Sequence, residues 1–128
     1  MIIATNTKKS WALYFFLASI FSVMSVLKYQ NLNSTYFDFG VFLNNCYMVS
    51  LGHWHRIFVS HVQPFSFIFS LPYQLSPSLF PVFLLAIQSA LLALPIIGLN
   101  KHYGLIPALA FLLYFPIWYI ALFDFHID

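Results

Sequence analysis

Residues 79–99 read LFPVFLLAIQSALLALPIIGL, a run of 21 without a charge, with Gln88 and Ser89 as the polar residues in its middle. A helix needs about 20 such residues to cross the roughly 30 Å hydrocarbon core of a bilayer. The stretch therefore reads as a membrane span. Its two prolines do not argue otherwise, because neighbouring helices can satisfy the backbone groups that proline frees. Gln88 and Ser89 are expected to hydrogen-bond across helices. Downstream, Asn100-Lys101-His102-Tyr103-Gly104 reads as a short polar turn, and residues 105–123, LIPALAFLLYFPIWYIALF, supply 19 more apolar positions. The two spans are expected to form a helical hairpin.

Upstream, residues 11–27, WALYFFLASIFSVMSVL, give a largely apolar run of 17 residues behind Lys8 and Lys9, at the short end of the range for a span. A cleaved signal peptide would show an apolar region of about 7–15 residues and an A-x-A-like site. Here the run is longer and aromatic and leads into LKYQN, so an uncleaved first span is expected. Composition agrees. Of 128 residues, 62% are hydrophobic and 6% charged, with mean hydropathy +0.85, whereas soluble domains carry about 25% charged residues. Lipid has to cover what polar groups do not. The net charge of +2 comes without a basic stripe, which excludes nucleic acid as a partner. Cys46 is the only cysteine, so neither an internal disulfide nor a Cys-x-x-Cys motif exists.

Residues 28–78 are mixed rather than uniformly apolar. Residues 36–51, YFDFGVFLNNCYMVSL, read as an amphipathic helix with Ser34 or Thr35 as N-cap, Asp38 in the first turn and Gly52 as the stop. Residues 65–75 are apolar but number only 11, and Pro64, Pro72 and Pro77 punctuate them. They read as a re-entrant or interfacial segment. The expected fold is thus all-α: a single membrane domain, 1–128, of a polytopic α-helical membrane protein. It has about three transmembrane helices and a long extracytoplasmic loop with amphipathic and re-entrant helices. FDFHID, at 123–128, ends on polar residues just past a span, so the chain is expected to be the N-terminal part of a larger protein.

Lysines near span ends set orientation. An N-terminus in the cytoplasm puts Lys8, Lys9 and Lys101 inside, and Lys28 and Arg56 outside. If residues 65–75 do not cross, the long loop and FDFHID share one face whichever way the bias falls; with the N-terminus inside, it is the outer face of an inner (plasma) membrane.

Charges are so scarce that their positions carry meaning. Asp38 lies in FDFG, and Asp124, His126 and Asp128 lie in FDFHID. Carboxylates brought together can hold a divalent metal, with His126 as a nitrogen ligand beside Asp38 and Asp124. Alternatively, one carboxylate acts as general base, its pKa raised by the other. The plainer alternative makes Asp38 a first-turn residue favoured by the helix dipole and Asp124 the marker of a span end. His53, His55 and His61 have a spacing that fits no strong zinc pattern. Lys28 and Arg56 suit the phosphate of a lipid carrier, against simple snorkelling. Asn33-Ser34-Thr35 is a glycosylation sequon by pattern.

Lys28-Tyr29, FDFG at 37–40, Gly52, His-x-x-Pro at 61–64, LPYQLSPS at 71–78 and FDFH at 123–126 occur in an order that resembles the predicted membrane proteins grouped as domain of unknown function 2079. The resemblance runs from about Lys28 onward. Ile127-Asp128 stands where the family pattern has Pro-Glu, which keeps the acid and loses the proline. The resemblance implies a longer protein with many more spans, laid out like the glycosyltransferases of the GT-C class. It implies a sugar donor on a polyprenyl-phosphate carrier and makes Asp38 the first-loop acid, as base or metal ligand. Asp124 and His126 would belong to a second outer loop, and His61 falls in a family motif. The 128-residue piece alone is then expected to be inactive. The alternatives are a transporter or channel piece, whose acids would lie within spans, and a non-enzymatic, truncated membrane protein.

Overall fold

A computed structural model describes residues 7–31, 36–58 and 64–122, and for 36–38 the backbone alone. Helices run at α1 (Thr7–Gln30), α2 (Tyr36–Ser50), α3 (Phe65–Leu75), α4 (Phe80–Ala93), α5 (Pro95–Tyr103), α6 (Leu105–Leu112) and α7 (Phe115–Leu122), with a 3-10 turn at Trp54–Phe58. Among the described residues 88% are helical and none is in a strand. That is how a chain keeps its backbone groups paired where water is absent. α1, and α4 with α5 taken together, each extend over 24 residues and are apolar enough to cross a membrane. The fold is all-α and of the membrane-spanning type.

The chain divides into two units, with the boundary inside α4 between Leu84 and Leu85. The first holds α1, the rest of α4, and α5 to α7. Its core is Leu17, Phe21, Ala93, Ile96, Ala108, Ile117 and Ala121. Phe21 meets Trp118 edge to face, ring centroids 5.1 Å apart. Three of the other core residues are alanines, which lets helix backbones approach closely in a setting where burial from water contributes little.

Polar contacts fix the order of the ends. Asn100 Nδ2 donates to Ser10 Oγ at 2.9 Å, both buried, so the end of α5 lies against the start of α1. Ser25 Oγ donates to the Ala121 carbonyl at 2.5 Å, and the Lys28 ammonium donates to the Leu122 carbonyl. The end of α7 thus lies against the end of α1. Ser10 and Ser25 are 15 positions apart, about 22 Å along a helix.

These contacts decide what α6 and α7 are. The two helices bend by 50° at Leu113-Tyr114, which a re-entrant loop or a broken span would both show. A re-entrant loop returns to the end it left. α6 instead starts beside the Ser10 end and α7 finishes at the Lys28 end, so the pair runs the length of α1 as one broken element. The element expected over 105–123 is bent rather than continuous, and Pro116 supplies the reason. It has no N–H for the Leu112 carbonyl and crowds it, so it can only open a new helix. The freed carbonyl accepts the Trp118 indole N–H at 2.6 Å.

The polar turn expected at 100–104 is also shorter than read. Helix α5 continues through Tyr103 and stops at Gly104, whose φ of 91° and ψ of −174° lie in a region open to glycine alone.

The second unit holds α2, the 3-10 turn, α3 and the start of α4. Residues Phe39, Phe42, Cys46 and Val49 make a buried stripe on α2, with Asn45 beside them. α3 packs along this helix. Phe42 meets Phe69 at 6.0 Å, Tyr47 meets Tyr73 at 6.1 Å, and Gln74 Nε2 donates to the Ser50 carbonyl at 3.1 Å. At 11 residues, α3 is about 16 Å long, half of what a bilayer core requires. Gly52, with φ of 87°, ends α2 in a Schellman motif. Its N–H donates to Val49 and that of His53 to Met48.

Candidate functional site

Asp38 is the third residue of α2, in the first turn, and its side chain lies outside the described residues. Asp124, His126, Asp128 and His61 lie outside them too, as does the Asn33 sequon. The carboxylate pair and its metal are therefore expectations that the geometry leaves where the sequence put them. Among the described residues no group of three His, Cys, Asp or Glu side chains could hold a metal. His53 and His55 are both exposed, with ring centroids 6.1 Å apart.

The two cations are described, and they differ. Lys28 is partly buried, and its ammonium sits on the last carbonyl of α7. A cation there meets the negative end of the helix dipole and an orphan carbonyl together. This structural task uses one of its three donors. The task was not legible beforehand, because its partner is 94 positions away. It also bears on the site, since Leu122 lies two residues before Asp124.

Arg56 sits in the 3-10 turn, partly buried. Its main-chain N–H donates to His53, but its Nε is buried with no acceptor among the described residues. A buried donor without a partner costs about 1–3 kcal/mol, and Arg56 Nε is such a donor among the described residues. Trp54 packs on Phe67 at 4.9 Å and braces the turn against α3.

Gln88 and Ser89 separate as well. Gln88 Nε2 reaches across to the Ile120 carbonyl at 3.2 Å. Ser89 Oγ instead bonds back to the Leu85 carbonyl of its own helix at 2.8 Å.

Cys46 is fully buried, and burial pushes its thiol from the usual 9.0 up to about 12, against a smaller pull from the Ser66 hydroxyl. At neutral pH it is a thiol, neither nucleophile nor metal ligand. Because the folded chain holds that proton more tightly than the unfolded chain, this contribution to stability is intact below pH 9. It is lost as pH rises from there toward 12, by up to about 1.4 kcal/mol per pH unit. Unfolding measured at pH 8 and pH 11 should show a larger loss in the parent than in Cys46→Ala.

No protein-family model, curated protein or solved structure matches the chain.

Proposed function

We propose that this chain belongs to a multi-pass protein of the inner (plasma) membrane, with its N-terminus in the cytoplasm and residues 28–78 and FDFHID outside it. Lys8 and Lys9 stand at the Ser10 end of α1 with the Lys101 segment beside them, against Lys28 and Arg56 on the other side, a bias of three to two. That is the bias expected of a cytoplasmic and an outer face. From Lys8 to Lys28 is 20 positions, about 30 Å of helix, which matches the hydrocarbon thickness.

Within that class the reading is a GT-C-like transferase that takes a sugar from a polyprenyl-phosphate carrier, of which this chain forms the first spans. The observation that carries it is the Lys28 bond to Leu122. Because of it, the segment leading to Asp38 and the segment leading to Asp124 leave the first unit from the same end. Two acids that are 86 positions apart in the sequence then start from one membrane face. Asp38 serves as base toward the acceptor or as a metal ligand, with Asp124 and His126 completing an acidic site and His61 nearby in the loop. Arg56, whose Nε has no acceptor among the described residues, is the group for the carrier phosphate. A divalent metal fits this donor set, since hard oxygen ligands suit it.

The test is transfer of a labelled sugar from a polyprenyl-phosphate donor by membranes that contain the longer protein. Transfer above control membranes is expected. Its absence across a panel of lipid-linked sugars overturns the reading.

A further inference from the structure

Lys9, Ala12, Leu13 and Phe16 fall at positions i, i+3, i+4 and i+7 of α1. They make one helix face two turns long, about 10 Å. Opposite them stands Leu105 at the start of α6, and the groove between has a volume of about 480 Å³. Ala12 offers only a methyl group, which is why the wall is hollow there. Every lining residue except Lys9 is apolar, and Phe16 is 59% exposed.

We propose that this groove holds an acyl chain of an anionic phospholipid, with the Lys9 ammonium on the lipid phosphate. The order of groups along α1 is that of the lipid: a cation at the helix end, then an apolar wall running inward. Lys8 adjoins Lys9, and the Asn100–Ser10 bond brings the Lys101 segment to the same end. The first unit has no acidic residue between Thr7 and Asn31 or between Leu85 and Leu122, so nothing there opposes a phosphate.

Beside the groove, Trp11 packs on Tyr14 at 5.6 Å and on Phe15 at 5.9 Å. Indole and phenol rings of this kind sit at headgroup level. A further helix in the groove would bury the Lys9 charge against apolar surface, which is costly. A lipid phosphate satisfies it. The inference needs only that the chain spans a membrane, and it stands whether or not the protein is a transferase.

Native mass spectrometry of the purified chain, equilibrated with equal amounts of phosphatidylcholine and phosphatidylglycerol, tests it. The parent should retain one phosphatidylglycerol in preference to phosphatidylcholine. Lys9→Gln should lower that preference about fivefold, the factor for one lysine beside an anionic headgroup. Ala12→Phe, which fills the hollow, should retain neither lipid. Lys9 is exposed, so its substitution reads the site even if Ala12→Phe fails to fold. Equal retention of both lipids by the parent overturns the proposal. So does an unchanged preference in Lys9→Gln, or a lipid-free dimer that Ala12→Phe dissociates.

Discussion

Under the proposed transferase function, Asp38→Asn is expected to lower sugar transfer about 10²- to 10⁴-fold, the usual worth of a positioned acid or base, without lowering the amount of protein in the membrane. Asparagine matches aspartate in shape but can neither accept the acceptor's proton nor offer a charged oxygen to a metal. The helix-dipole part of its structural cost is small. Asp38 is in the first turn of α2, where a negative charge contributes only about 0.3–1 kcal/mol through the helix dipole. Excess divalent metal separates the two roles: it restores part of the rate if Asp38 is a ligand and none if Asp38 is the base. Unchanged transfer in Asp38→Asn would remove Asp38 from the chemistry.

The largest expected effect on stability is at Trp118. Trp118→Ala should cost more than an orphaned carbonyl alone, about 1–3 kcal/mol, because it removes both the ring packed edge-on to Phe21 and the donor that satisfies Leu112. Trp118→Phe keeps the ring and orphans the carbonyl, at about 1–3 kcal/mol. The cause of that second cost is Pro116, which took away the ordinary main-chain donor. In a Pro116→Ala background residue 116 regains an N–H for Leu112, so Trp118→Phe should become nearly neutral. Unfolding titrations in mixed detergent measure the cycle. An equal cost of Trp118→Phe in both backgrounds would show that the indole bond is not what repairs the break.

Much of the fold was legible because lipid imposes a simple rule, and residues 79–99 obey it without needing any partner. The ends were less legible. The first apolar run stops at Leu27, yet α1 continues from Thr7 to Gln30. Lysines at either end form helix readily and can carry their charge away from the apolar zone. Gly52 announced the stop of α2 because a left-handed residue there is a local matter. Asn100 looked like a turn residue and is helical, since its side chain has a buried partner in Ser10. Pro116 was visible, but its consequence depended on an indole that reaches back across the break. The candidate site was legible only as scarcity: few acids, two of them in similar motifs. What brings the segments before those motifs to one end is Lys28 on a carbonyl 94 residues away, a pairing no local pattern announces.

That shared end is the central claim, and cysteine accessibility tests it most directly. In a Cys46→Ala background, Asn31→Cys, Lys101→Cys and Ile127→Cys are labelled one at a time with a membrane-impermeant maleimide in intact cells. Labelling at positions 31 and 127, with position 101 protected until the membrane is permeabilised, is the predicted result. Positions 31 and 127 reacting from opposite sides would contradict the account, because α6 and α7 could not then form a single crossing that ends beside Lys28.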